Sequence, residues 1–111
     1  MKGPEFRLAT YGTLAPGEVN AHQLDGLAGV WSKGRIRGTL IAEGWGADHG
    51  CPGIRLAEDG EAVKAHIFTS ADLPDHWARL DKFEGAEYRR TATTAETDDG
   101  AVEVYVYELA V

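Results

Sequence analysis

One glutamate stands at a position where the helical pattern predicts a core residue. Leu73, Trp77 and Leu80 recur at i, i+4 and i+7, the spacing of one buried helix face, and Glu84 continues that stripe. At 100° per residue, position 84 lies within about 20° of position 73. Burial removes hydration from a carboxylate, so we expect the pKa of Glu84 to lie above its ordinary value of about 4.3. A carboxyl group that titrates nearer neutrality suits general acid–base catalysis.

The end of this predicted helix decides where the carboxylate points. Gly85 follows Glu84 directly and is predicted to end the helix in a left-handed cap, which would leave the carboxylate beside a loop. In the alternative interpretation the helix ends one residue earlier, and Glu84 turns to solvent or pairs with Arg89 or Arg90. The spacing alone leaves both interpretations open.

Two other acids compete for the same role. Asp81 lies about 80° away from the apolar stripe, where a flanking charge or a hydrogen-bond partner is expected. Glu87 follows the glycine and precedes two arginines, so a surface ion pair is the simpler interpretation. Glu84 is therefore the predicted catalytic acid–base residue.

A second stretch, Tyr11-Gly12-Thr13-Leu14, follows a predicted strand directly. Gly12 has no Cβ, so the backbone can turn there and approach a ligand closely. Successive N–H groups at such a bend can form a concave anion-binding site. The spacing matches neither the phosphate-binding loop nor the dinucleotide-binding fingerprint, and an ordinary turn is the alternative.

Composition limits the other classes of function. The chain has 111 residues, which suits a single domain over residues 1–111. Its net charge of −7 and the lack of a Lys/Arg run argue against nucleic-acid binding. No stretch approaches the roughly 20 apolar residues of a membrane helix. The single cysteine excludes an internal disulfide and suits a reducing cytoplasm.

The sequence offers no pattern of metal ligands, since its four histidines are scattered along the chain. A nucleophile pair of Cys51 and His49 is conceivable within a glycine-rich loop. No third member is visible, and adjacency alone does not create the geometry of a catalytic triad. We therefore expect no metal site and give the cysteine no catalytic role.

The scaffold around these groups is predicted to be mostly β. A helix is expected to open at Ser70 or Asp72, and residues 12–29 are expected to be loop with at most a short helix around Asn20–Leu24. Turn signals at residues 58–60 and 98–100 predict two hairpins. Many short strands with glycine breaks favour a curled or closed antiparallel sheet with the helix across one end. The predicted strands are Phe6–Tyr11, Val30–Ile41 with a kink at its glycines, Ile54–Leu56, Glu61–Phe68, Tyr88–Thr97 and Ala101–Leu109.

Several stretches, taken together and in order over about residues 6–109, resemble the γ-glutamylcyclotransferase-like (AIG2-like) family. Each stretch is weak by itself, but the ordered set is specific. In chain order the stretches are Tyr11-Gly12-Thr13-Leu14, Gly17 and Asn20, Arg37-Gly38-Thr39-Leu40, Gly50-Cys51-Pro52-Gly53, residues 80–90 (LDKFEGAEYRR), and Tyr105-Val106-Tyr107.

The resemblance implies both a fold and a reaction. The implied fold is α+β: a small mixed or antiparallel β-barrel of about six strands, with one main helix and a short second helix packed on it. In the implied reaction, the α-amine of a γ-glutamyl group attacks its own γ-carbonyl, closes 5-oxoproline and releases an amine. The resemblance implies no metal or organic cofactor.

The same resemblance implies the site residues. Glu84 matches the family's catalytic glutamate, and residues 11–14 match its substrate-carboxylate and oxyanion loop. Tyr88 is expected near the pocket. The chain departs from the family's usual pattern at Ala15-Pro16, which bears on the attraction of a charged substrate, and at Cys51, which bears on the pocket wall.

The expected partner is a small γ-glutamyl substrate, bound by a cytoplasmic monomer or small homo-oligomer without nucleic acid or membrane. Two alternatives stay open. One is a non-catalytic module that binds a small ligand or peptide on the same barrel. The other is an amide hydrolase in which Glu84 activates water.

Overall fold

Six β-strands and one α-helix make up most of the described part of this computed structural model, which comprises residues 3–11, 24, 26–41, 53–86 and 88–110. None of the helices in these ranges has the length and apolar character of a membrane span. The strands are β1 (Arg7–Thr10), β2 (Val30–Ile41), β3 (Gly53–Leu56), β4 (Glu61–Thr69), β5 (Tyr88–Thr97) and β6 (Gly100–Leu109). The helix, α1, spans Trp77–Glu84, and short 3-10 turns span Pro4–Phe6 and Leu73–Asp75.

Five of the strands close into a barrel in the order β2-β4-β1-β6-β5. β2 closes the ring by pairing with β5, with Gly34 opposite Thr97 and Arg35 opposite Glu96. The sixth strand, β3, pairs with the C-terminal end of β2. The barrel is mixed, because β1 and β6 are parallel while the other pairs are antiparallel. The α+β barrel fold that the resemblance implied is confirmed.

The hairpin predicted across residues 58–60 is wrong. β3 and β4 are not neighbours, because β2 lies between them. β4 pairs with residues 30–38 of β2, and β3 pairs with residues 38–41. The connection between them passes close to β2, where a Cβ on Gly60 would meet the Gly38 Cα at 2.8 Å. Two glycines permit this close approach of backbones. The turn signal therefore marks a crossing from one edge of β2 to the other.

The second predicted hairpin is confirmed. β5 and β6 pair without interruption, from residue 88 with 109 to residue 97 with 100, and Asp98 and Asp99 form the tip. Gly100 has a φ of 112°, which residues with a Cβ rarely adopt. β2 spans the predicted range as one uninterrupted strand, so its glycines do not divide it as expected. The short helix predicted around residues 20–24 lies outside the described residues, apart from Leu24.

The apolar side chains form two clusters, one inside the barrel and one beneath α1. In β4 and β6 every second residue points into the barrel, as expected of strands with one buried face. The second cluster packs α1 and the preceding 3-10 turn against the outward faces of β1, β4 and β6. The inner cluster includes Val63, Ala65, Ile67, Val104 and Val106. The outer cluster includes Leu8, Phe68, Leu73, Trp77, Leu80 and Tyr107.

α1 begins later than predicted, although its apolar stripe is buried as expected. Leu73 belongs to the 3-10 turn, and the α-helix begins at Trp77. Between them, His76 has φ −116° and ψ −4°, which interrupts the helical geometry. Pro74 lacks an N–H and suits the first turn of either kind of helix, so the sequence signal did not distinguish them.

Candidate active site

Glu84 is the last residue of α1 and is half-buried. It lies one turn after Leu80, which is fully buried beneath the helix. Gly85 ends the helix, and its N–H donates to the carbonyl of Asp81 at 3.1 Å. The φ of Gly85 is positive as predicted, at 83°, but its ψ of −176° lies outside the left-handed helical region. Because only glycine adopts this conformation readily, Gly85 fixes the end of the helix directly after the carboxylate.

Burial raises the pKa of Glu84 from 4.5 to about 7. The cause is the lost hydration of the charged carboxylate, as the sequence predicted. The pKa values of Tyr11 and Tyr107 are also raised, in each case mainly by burial and in part by the charge of Glu84. Coulomb interactions weaken with distance, so Glu84 lies within electrostatic reach of both phenols. A carboxyl group of this pKa can accept and return a proton near neutral pH.

Asp81, one turn before Glu84, is held by two partners. The hydroxyl of Tyr107 donates to Oδ1 of Asp81 at 2.7 Å. Nε of Arg90 lies 3.4 Å from the same oxygen. The hydrogen-bonding role predicted for Asp81 is confirmed, and these charge-assisted contacts tie α1 to β5 and β6.

The Arg90 side chain lies against two aromatic rings that also contact each other. Its guanidinium carbon lies 4.7 Å from the centre of the Trp77 ring and 4.8 Å from that of Tyr105. The two rings also meet edge to face, with their centres 5.3 Å apart. Cation–π contacts of this kind stabilise a partly desolvated guanidinium. These contacts join α1 to β5 and β6 and so help to hold the helix that carries Glu84.

Tyr11 follows β1, and its side chain joins three strands at one end of the barrel. Its hydroxyl donates to the carbonyl of Tyr107 at 2.6 Å and accepts from the N–H of Ile54 at 3.0 Å. Tyr11 thus fixes the point at which the chain leaves β1 for the predicted anion-binding loop. Gly12, Thr13 and Leu14 lie outside the described residues, so the loop itself stays a prediction.

Tyr88 begins β5, close behind the end of α1. Its N–H donates to the carbonyl of Gly85 at 3.3 Å, and its side chain packs against the cluster beneath α1. It also contributes to the raised pKa of Tyr11, where burial is the larger cause. Three of the predicted site residues, Tyr11, Glu84 and Tyr88, therefore lie near one another.

Another carboxylate, Glu108, is buried and was not predicted. It lies near the end of β6 with only 8% of its surface exposed. Its Oε1 accepts from the N–H of Leu56 at 3.4 Å, and its Oε2 lies 3.5 Å from Nη2 of Arg89. Burial is the main cause of the raised pKa of Tyr11, and the charge of Glu108 raises this pKa further. The signal was present in the sequence, because residues 102, 104 and 106 alternate inward and position 108 continues that face.

The two arginines that were possible partners of Glu84 pair with other acids: Arg89 with Glu108, and Arg90 with Asp81. No group of three or more His, Cys, Asp or Glu side chains in the described ranges is arranged to hold a metal ion. Glu87, His49 and Cys51 lie outside those ranges. The described site thus offers proton transfer by one buried carboxyl group, with two tyrosines and a second carboxylate around it.

Comparison with known proteins gives one family. The sequence profile described as "Gamma-glutamyl cyclotransferase, AIG2-like" matches residues 8–111. No curated protein matches the chain.

Solved structures show the same fold. YkqA from Bacillus subtilis superimposes with a TM-score of 0.72 at 27% identity, over 94% of this chain and 35% of that chain. The chain therefore spans about a third of the length of YkqA. An AIG2-like protein from Mus musculus gives a TM-score of 0.71 at 26% identity, over 94% of this chain and 76% of that chain. The protein PH0828 from Pyrococcus horikoshii, with a TM-score of 0.63 and 18% identity over 95% of this chain and 78% of that chain, shares the fold.

Proposed function

The chain belongs to the γ-glutamyl cyclotransferase, AIG2-like family, and we propose that it cyclises a γ-glutamyl amine or a small γ-glutamyl amide to 5-oxoproline. The family supports a cyclotransferase-like activity on a small molecule. The finer assignment, with Glu84 as general acid and base, rests on the chemistry of the described residues. No metal or organic cofactor enters the proposed reaction.

The observation that carries the proposal is the pKa of Glu84, raised to about 7 by burial. Cyclisation requires the removal of protons from the attacking nitrogen and their delivery to the leaving nitrogen. A carboxylic acid with an ordinary pKa is too weak a base to remove a proton from an ammonium efficiently, and too rarely protonated to return it. A carboxyl group that titrates near neutrality can perform both transfers in turn.

The proposed reaction begins when the α-ammonium of the substrate gives a proton to the Glu84 carboxylate. The freed amine attacks the γ-carbonyl carbon, forming the ring C–N bond and a tetrahedral intermediate with a negative oxygen. The bond to the leaving nitrogen then breaks. Glu84 relays the protons lost by the ring nitrogen to the leaving nitrogen. The products are 5-oxoproline and a free amine, and no water is consumed.

Substrate binding is proposed for the loop that follows β1. Backbone N–H groups of Gly12, Thr13 and Leu14 would stabilise the negative oxygen of the intermediate, and each such donor contributes about 3–4 kcal/mol in comparable sites. Tyr11 supports this role, because its hydroxyl holds the start of the loop to β6 and β3. Ring closure is intramolecular, so correct positioning of the substrate supplies much of the rate. Tyr88 is proposed to contact the substrate beside Glu84.

The test is 5-oxoproline release from a panel of γ-glutamyl amines, γ-glutamyl amino acids and γ-glutamyl amides. We expect the wild type to convert at least one class and Glu84→Gln to lose that turnover while it keeps the wild-type circular dichroism spectrum. Glu61→Gln, which changes an exposed glutamate on β4, is the matched control and should keep full activity. If the pure wild type converts no compound of the panel, the cyclotransferase proposal is wrong for these substrate classes.

The products separate this reaction from the two alternatives. A hydrolase would release free glutamate in place of 5-oxoproline. A binding module would be stabilised equally by ligand in the wild type and in Glu84→Gln, with no turnover in either. Chromatography of the products together with a thermal shift measurement therefore distinguishes the three functions in one set of samples.

A further inference from the structure

Four basic side chains face outward from β2 and β4, and none of them is among the residues named in the proposed reaction. The two strands are antiparallel, with Arg35 opposite Lys64 and Lys33 opposite His66. Lys33, Arg35 and Lys64 are exposed, and His66 is half-exposed. Because the alternate residues of β4 point into the barrel, these four side chains share the outer face.

This arrangement is unfavourable without a counter-charge. Arg35 and Lys64 are like charges directly opposite each other on neighbouring strands, which destabilises the sheet. Within the described residues, none of the four forms an ion pair, and the neighbouring Glu96 pairs with Arg37 at 3.2 Å instead. The chain as a whole has a net charge of −7, so this face differs in sign from the whole molecule.

The four side chains line a groove of about 390 Å³. Its other walls include Thr97 and Asp98, which reach it because β2 pairs with β5 at Gly34. A Cβ on Gly34 would lie 2.8 Å from the carbonyl oxygen of Glu96, so only glycine lets the two strands approach this closely. The groove volume lies in the range of small-ligand sites, which begins at roughly 300 Å³.

We propose that this groove binds a small anion carrying two or more phosphate groups, in addition to the substrate proposed for the Glu84 site. A guanidinium offers paired N–H donors to phosphate oxygens, and ammonium groups bind phosphate as point charges. Arg35 supplies the paired N–H donors, and Lys33 and Lys64 supply the ammonium groups. A long polyanion is disfavoured, because the acidic hairpin tip at Asp98 and Asp99 borders the groove and the overall charge is negative.

The probe for this site is tripolyphosphate, measured by isothermal titration calorimetry with the full chain and no added metal. The binding variant is the double substitution Lys33→Gln with Lys64→Gln. The matched control is Arg55→Gln with Lys82→Gln, which removes two exposed positive charges elsewhere. We expect tripolyphosphate to bind the wild type and the control equally, and the binding variant at least tenfold more weakly.

Two further measurements sharpen the test. Raising the salt concentration from 50 to 500 mM should weaken tripolyphosphate binding several-fold, because the contacts are exposed and ionic. Without ligand, the Tm of the binding variant should equal or exceed that of the wild type, since like charges have been removed. Equal tripolyphosphate affinity in all three proteins, or no heat of binding to the wild type, would overturn the proposal. Neither result depends on turnover at Glu84, so failure here leaves the proposed reaction untouched.

Discussion

Asp81 and Glu84 lie one turn apart on the same helix, yet their surroundings differ. Asp81 receives a hydrogen bond from the Tyr107 hydroxyl at 2.7 Å and an ion-pair contact from Arg90 at 3.4 Å. Glu84 is carried by the apolar side of the helix into a region where burial raises its pKa to about 7. Asp81 is held by a hydrogen bond and an ion pair, whereas burial disfavours the charged form of Glu84.

The two acids therefore have different roles: Asp81 positions the helix, and Glu84 is available for proton transfer. The partners of Asp81 belong to β5 and β6, so its contacts hold α1 in a fixed relation to the barrel. Glu84 lies one turn further along the same helix, so its position relative to the barrel is held as well. A carboxyl group exchanges protons near neutrality when burial disfavours its charged form, as it does for Glu84. The helix therefore uses one acid for orientation and offers the other for proton transfer.

The largest contrast between the two acids is expected in turnover. Glu84→Gln should lower kcat for 5-oxoproline release by about 10²–10⁴-fold, because it removes the general acid–base group. Asp81→Asn keeps the hydrogen bond from Tyr107 and should lower kcat by less than about tenfold. Both are measured with the substrate class that the wild type converts. Equal losses in the two variants would remove the distinction between a proton-transfer residue and a positioning residue.

The pH dependence of stability should also separate them. The folded-state pKa of Glu84 is the higher one, so between pH 4.5 and about 7 the folded protein keeps a proton that the unfolded chain releases. Stability should therefore fall as the pH rises through this interval. One pKa unit corresponds to about 1.4 kcal/mol, and since water partly reaches the half-buried group we expect a loss of about 2 kcal/mol.

Glu84→Gln cannot ionise and serves as the control for this effect. In urea denaturation the variant should be more stable than the wild type at pH 8 and about equal to it at pH 5. A wild type and variant with parallel stability curves from pH 5 to 8 would show that the carboxylate is well solvated.

Tyr11→Phe tests whether the loop after β1 depends on its anchor. The substitution leaves the carbonyl of Tyr107 and the N–H of Ile54 without the hydroxyl that joins them. We expect a loss of about 1–2 kcal/mol in the free energy of unfolding, and a larger relative rise in KM than fall in kcat. An unchanged KM would show that the anchor does not influence substrate binding.

Asp81→Asn should have the smallest effect on stability. The amide can still accept from the Tyr107 hydroxyl, but the ionic contact with Arg90 is lost. For a partly exposed ion pair we expect about 1 kcal/mol or less in the free energy of unfolding. A loss of several kcal/mol would show that the carboxylate charge, rather than the hydrogen bond, holds the helix.

The site residues differ in how far local sequence could reveal them. Glu84 was predictable because Trp77 and Leu80 define the buried face of α1 that it continues. Glu108 follows the same logic on a strand, as the next inward position after Val104 and Val106. It was not predicted because a glutamate is rarely buried unless it is paired, and its partner Arg89 lies on another strand.

Partners across the chain were not predictable from local patterns. The sequence indicated that Asp81 accepts a hydrogen bond, but its donor, Tyr107, lies 26 residues away on another element. β3 pairs with β2 rather than with β4. This is possible because the long strand β2 binds β4 along one edge and β3 along the other. A turn signal such as residues 58–60 reports where the chain bends and carries no information about which strand lies alongside.

The most direct test of the central claim is an NMR titration of the Glu84 side-chain carboxyl carbon, assigned by its absence in Glu84→Gln. Burial predicts a titration midpoint close to pH 7. A midpoint near the ordinary 4.5 would mean that the carboxylate is solvated like any surface glutamate, and would contradict its role as the acid–base group of this protein.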